Sequence, residues 1–147
     1  MVPYIPNINK LAQQVGTTRD SLLKYLNLLH NAHILTWLSS DAMGINFMNK
    51  PEKLYLNNTN IAYAIANDVN IGTMRETFFL SQLRNSHIIT YPKNTDFFVD
   101  NKYLFEIGGK SKSSKQLGNE KDAYVVADNI EIGYQNRIPL WMFGFLY

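Results

Sequence analysis

In DFFVDNKYLFEIGGKSKSSKQL, residues 96–117, two carboxylates flank a short turn and a lysine-rich segment follows. If Asp100, Asn101 and Lys102 form the loop of a β-hairpin, Val99 pairs with Tyr103, Phe97 faces Phe105, and Asp96 stands opposite Glu106. Directly opposed residues have Cβ atoms roughly 4.5–5.5 Å apart. Two acids that close repel unless a proton or a cation lies between them. A hard cation such as Mg²⁺ or Mn²⁺ takes oxygens from one or two carboxylates and from substrate phosphate. There it activates water and stabilises a leaving oxygen in phosphodiester cleavage. A two-residue turn would shift the register by one and separate the acids, leaving two ordinary solvated strand ends. Glu76, in RETFF, lies on the preceding helix, and in a site of this kind an acid from that helix commonly completes the metal shell. Its bland alternative is a local or fold-holding ion pair made with Arg75.

The elements that must carry these residues are legible. GTMRETFFLSQLRNS has Met74, Phe78, Phe79 and Leu83 on the apolar side of a helix. Short β-rich runs follow at 88–91, 97–99 and 103–107, then a polar segment with room for a helical turn around Lys115 to Asn119, then a strand at 123–128. NTNIAYAIAND, with Thr59 as cap, is a short preceding helix. The order helix, strand, strand, strand, helix, strand is the core order of the restriction-endonuclease-like fold.

The first third reads differently. In NINKLAQQVGTT, residues Ile8, Leu11, Ala12 and Val15 recur at helical spacing, and Gly16 supplies a left-handed stop. Thr18 is an N-cap for a second helix with Leu22, Tyr25, Leu26 and Leu29 inward. Two helices across a tight turn form a helix-turn-helix. ILTWL and KLYL, separated by a polar stretch with Gly44, Asn49 and Pro51, make a two-stranded wing. Residues 1–57 therefore read as a winged-helix domain and 58–147 as a second domain. DNA would meet the second helix through Arg19, Asp20, Leu23, Lys24, Asn27 and Asn31. Only Arg19 and Lys24 are cationic there, which favours a packing or oligomer role over specific DNA reading.

Bulk properties bound the rest. A chain of 147 residues with 46% hydrophobic and 18% charged content is core-forming, and fits one ordinary domain or two small ones. A net charge of +2 does not itself imply nucleic acid, so that claim rests on where the charges sit. Lys102, Lys110, Lys112, Lys115 and Lys121 fall in one short segment. The absence of cysteine excludes disulfides and thiolate metal sites and suits a reducing, cytoplasmic setting. No apolar run approaches the ~20 residues that span a bilayer, and the first residues lack a signal-peptide stretch. His30, His33 and His87 have no metal-ligand spacing.

PYIPNINKLAQQVGTTRDSLLKYLNLL, KPEKLYLNNTNIAYAI, GTMRETFF, DFFVDNKYLFEIGGK and IPLWMFGFLY together resemble the C-terminal region of prokaryotic AAA+ ATPases, a winged helix followed by a PD-(D/E)XK nuclease-like domain of unknown function. The resemblance covers essentially the whole chain. It implies an ATPase motor upstream or in a separate protein, the chain being either a piece of a larger protein or a free-standing remnant. It also implies Glu76, Asp96 and Glu106 as metal ligands. No G-x-x-x-x-G-K-[ST] phosphate loop occurs here, so these residues provide no ATP site.

The nuclease pattern then expects a lysine two residues after Glu106, where alternation would aim it at the same phosphate. That position is Gly108. Lys110 reaches the acids only if Gly108 and Gly109 form a bulge or turn. The same glycines would admit a phosphate to backbone N–H groups, with Lys110, Lys112 and Lys115 around it, and Gln116 matches the polar residue of the following helix. With the lysine displaced, the expected function is an accessory module of an AAA+ ATPase that positions nucleic acid or a partner and is catalytically weak or inactive. The alternative is a Mg²⁺- or Mn²⁺-dependent nuclease using Asp96, Glu106 and Lys110. A third reading is a protein-interaction domain whose contact surface is WMFGFLY.

Overall fold

The structure, a computed structural model, describes residues 5–40, 50–92, 94–118 and 120–146. Gly44, Asn49, Asn119 and Tyr147, invoked above, lie outside the described residues. The chain is a mixed α+β protein with helices around a two-stranded and a five-stranded sheet.

Helix α1, Ile8–Val15, begins at Asn7, whose side chain accepts from the Lys10 N–H, and ends at Gly16 with φ 71°. Helix α2, Arg19–Asn31, is capped by Thr18, which accepts from the Ser21 N–H. Strands β1, Leu35–Leu38, and β2, Lys53–Leu56, pair antiparallel. Ile8, Ala12, Leu22, Leu23, Leu26, Trp37 and Leu54 close one core. The burial of α2 differs from its expected periodicity. Leu23 is only 3% exposed, whereas Tyr25 is 51% exposed and Leu29 also faces outward. The helix carries apolar residues on more than one face, and contact with Trp37 and Leu54 selects the Leu22–Leu23–Leu26 side.

Helix α3, Thr59–Ile65, starts from Asn58 rather than Thr59, because the Asn58 side chain accepts from the Asn60 N–H. Helix α4, Ile71–Leu83, is capped by Asn70 and buries Thr77, Phe79, Leu80 and Leu83. Strands β3 (Ile89–Thr90), β4 (Phe97–Val99), β5 (Tyr103–Gly108), β6 (Ala123–Ala127) and β7 (Arg137–Pro139) form the second sheet in that order. Strand β4 pairs antiparallel with both β3 and β5; β5, β6 and β7 are parallel. The expected helical turn between β5 and β6 is a 3-10 turn, Lys115–Leu117, and a 3-10 segment, Leu140–Phe145, closes the chain. Strand β7 is an addition to the expected order. Among the described residues no helix is long and apolar enough to cross a membrane.

The main core crosses the boundary drawn at residue 57. Leu38 and Tyr55 pack in one cluster with Phe79, Phe97, Phe105 and Phe143. The Tyr55 and Phe97 ring centroids are 5.6 Å apart, and Phe79 stands 5.1 Å from both Phe97 and Phe105. Truncating a buried Phe costs roughly 3–5 kcal/mol. Phe79→Ala is therefore expected to lower the urea midpoint of the whole chain, the β1–β2 hairpin included. In a Trp141→Phe background, Trp37 fluorescence should follow the same transition as far-UV circular dichroism. Two separated transitions would contradict a shared core.

Candidate phosphodiester site

The hairpin turn sets the register. Asp100 and Asn101 both take φ 53°, which Asp and Asn tolerate better than other side chains, and the Lys102 N–H returns to the Val99 carbonyl at 3.0 Å. Asp100 also accepts from the Ile88 N–H at 2.9 Å and meets His87 Nδ1 at 2.7 Å, so the turn is tied to β3. The pairs are Val99 with Tyr103 and Phe97 with Phe105, which is the three-residue-loop register. One step further, Asp96 leaves β4 opposite Glu106, and its Oδ2 accepts from the Ile107 N–H at 2.8 Å.

Glu76, Asp96 and Glu106 come together here, each compensated differently. Glu76 Oε2 accepts from Lys53 Nζ and from the Tyr55 hydroxyl, both at 2.9 Å. Lys53 Nζ also lies 4.0 Å from Asp96 Oδ1. Burial, and then the Glu76 carboxylate, push the Tyr55 phenol far above its ordinary value, which keeps it a donor. Burial pushes the Asp96 carboxyl up to about 6; Glu76 and Glu106 add to this, while the Ile107 N–H and Lys53 oppose it. Glu106 is 3% exposed and its Oε1 pairs with Lys112 Nζ at 2.5 Å. Glu106 Oε2 is buried and has no hydrogen-bond partner among the described residues.

Lys112, four residues beyond Gly108, supplies the ammonium at Glu106. A Cβ at Gly108 would lie 2.7 Å from Cβ, Cγ and Cδ of Lys112, so the lysine stem runs across the bare face of that glycine. The loop is held in this path by its backbone. Arg137 donates to the carbonyls of Lys112 and Lys110 at 3.0 and 2.7 Å, the Lys112 N–H closes on Gly109, and the Asp128 N–H on Gly108. Arg75 pairs with Asp128 at 2.9 Å and packs its guanidinium beside Gly109. Lys110 is exposed, and no ion pair of its side chain occurs among the described residues.

The remaining expected residues lie elsewhere. Arg19 pairs with Asp20 at 3.3 Å on α2, Lys24 is exposed and Asn27 half-buried. Lys115 and Gln116 border an open cavity of about 460 Å³ together with Thr95 and Leu117. Lys53 and Tyr55 were not anticipated, although their spacing of two on a strand puts both on one face. Nor were the clamps Arg75–Asp128 and Arg137, which join positions far apart in sequence.

Asp96 and Glu106 are the two acids of this corner that could hold a cation. Glu106 Oε2 is buried and accepts no hydrogen bond from the described residues, and buried polar oxygens are rarely left that way. Glu76 is already engaged, and no group of three or more His, Cys, Asp or Glu side chains is arranged to enclose a metal among the described residues. One or two carboxylates, completed by water and phosphate oxygens, are the usual protein share for Mg²⁺.

The raised Asp96 carboxyl fixes a sign. The unfolded chain releases this proton near pH ~4, so between about pH 4 and 6 the folded state holds the extra proton and stability falls as the pH rises. The contribution is on the order of 2–3 kcal/mol. Asp96→Asn retains an oxygen for the Ile107 N–H and removes the charge. In metal-free buffer it should be more stable than the wild type at pH 7 and lose that advantage at pH 4, as read by urea unfolding. An identical pH slope in both proteins would reject the assignment. In comparison with known proteins, no family model matches the chain, and no curated protein or solved structure is significantly similar to it.

Proposed function

We propose that this chain is a nuclease module that hydrolyses phosphodiester bonds with a hard divalent cation, Mg²⁺ or Mn²⁺. The observation that carries the reading is the Lys112 ammonium on Glu106, reached across Gly108. It supplies the charge that the nuclease pattern expects two residues after the acid, and so favours catalysis over the inert accessory module expected from the sequence. Asp96 and Glu106 would hold the cation, which when bound activates water and stabilises the leaving oxygen. Lys112 orients a phosphate oxygen and offsets its developing charge. Lys110 and Lys115, both exposed, are available to the flanking phosphates. The α4–β3–β4–β5–β6 order supports a PD-(D/E)XK arrangement, and α1, α2 and the β1–β2 hairpin support a winged helix-turn-helix before it.

A second element of the reading concerns the partner. The exposed side of α2 displays Tyr25, Leu28 and Leu29 beside Lys24, a surface better matched to protein than to phosphate. This favours a protein contact over sequence-specific DNA reading by α2, and an AAA+ ATPase is the partner that the sequence resemblance suggests.

The test is cleavage of labelled single- and double-stranded DNA and RNA with Mg²⁺ or Mn²⁺. Removing one preorganised electrostatic contact commonly lowers the rate by about 10²–10³. Glu106→Gln and Lys112→Ala should each lose at least that much with the fold intact, while Lys110→Ala stays close to wild type. Silence of folded wild-type protein on every substrate would reject the nuclease reading and return the accessory module.

A further inference from the structure

Lys53 is not used by the reading above. It belongs to β2, within the stretch expected to bind rather than to react, yet its side chain is only 12% exposed. Its ammonium donates to Glu76 at 2.9 Å, stands 4.0 Å from Asp96, and lies over the rings of Tyr55 and Tyr91 at 5.3 and 5.2 Å. A buried ammonium bounded by a carboxylate and two aromatic faces is held in place, unlike a surface lysine that samples solvent. The Tyr55 hydroxyl donates to the same Glu76 oxygen. The carboxylate cluster is thus divided. Both sides carry an ammonium of the protein's own, Lys53 at Glu76 and Lys112 at Glu106, but Glu76 Oε2 takes two donors while Glu106 Oε2 takes none among the described residues.

We propose that Lys53 is a resident cation of the phosphodiester site, standing on the Glu76 side where a second divalent ion would bind and leaving Asp96 and Glu106 to take a single ion. The proposal rests on the phosphodiester reading and deepens it. Two-ion sites clamp the attacking and leaving oxygens between metals roughly 3.5–4 Å apart. Here one half of that clamp is an ammonium delivered by the N-terminal hairpin, which cannot be chelated away. Lys53 makes no covalent bond to substrate; it contributes charge and an N–H donor to a phosphate oxygen. Glu76 becomes the residue that positions Lys53, not a metal ligand.

Mn²⁺ binding to the full chain, counted by calorimetry and by electron paramagnetic resonance of the free ion, tests this without any cleavage assay. The wild type should take one Mn²⁺ per chain, and Glu76→Gln should take one at unchanged affinity. Lys53→Met, which keeps the aliphatic stem between the tyrosines, should take one ion more than wild type. Lys53→Arg, which keeps the charge, should match the wild type. Two ions in the wild type, loss of its ion in Glu76→Gln, or an equal count in folded Lys53→Met and wild type would each overturn the proposal. Should Lys53→Met fail to fold, the wild-type and Glu76→Gln counts still decide. A wild type that binds none beside a Lys53→Met protein that binds one would uphold Lys53 as the resident cation and reject metal-dependent cleavage by the native chain.

Discussion

Carboxylates withdrawn from water repel one another and lose their hydration, and three of them meet in one corner of this molecule. Glu76 arrives on α4, Asp96 at the entry to β4 and Glu106 in β5. Much of the surrounding polar structure offsets that concentration of charge. Lys53 and Tyr55 reach in from β2, Lys112 from the loop after β5, and the backbone of Ile107 from the neighbouring strand. The compensation is incomplete at two points: Asp96 retains a tendency to keep its proton, and one oxygen of Glu106 has no hydrogen-bond partner among the described residues. Incomplete compensation at a buried acid pair is what a binding site for an external cation requires, since full pairing would leave a metal nothing to replace.

The same demand explains how the two parts of the chain are joined. The β1–β2 hairpin is not an appendage to the larger sheet. Tyr55 stacks toward Phe97 while its hydroxyl serves Glu76, so one side chain takes part in both the aromatic core and the polar corner. Thr36 and Asn57 bond one another inside the hairpin, and Arg84 from the end of α4 donates to Thr36. Movement of the hairpin would therefore be felt at the acids directly.

How much of this was legible varied with the range of the interaction. The β4–β5 register followed from local chemistry: two residues tolerant of positive φ, in Asp100 and Asn101, between runs of strand formers. Gly16 and Thr18 likewise gave their caps from adjacent residues. The inward face of α2 did not follow, because Leu22, Leu23, Tyr25, Leu26, Leu28 and Leu29 offer competing stripes. The choice is made by Trp37 and Leu54, which are distant in sequence. The ion pair of Glu106 with Lys112, not with Lys110, was hidden for the same reason. The course of the 108–112 loop depends on Arg75, Asp128 and Arg137, brought in by α4, by the end of β6 and by β7.

The lysine stem lying across Gly108 has a consequence for how such a site changes over time. Positions 108 and 112 compete for the same volume, so the merit of a residue at one depends on the identity of the other. A side chain placed at 108 would displace the Lys112 stem, and a shortened residue at 112 would leave an empty groove beside Glu106. Substitutions at the two positions are therefore expected to be non-additive in their effect on stability. Spacing along the chain does not reveal this contact, because the ammonium reaches Glu106 from six residues further on.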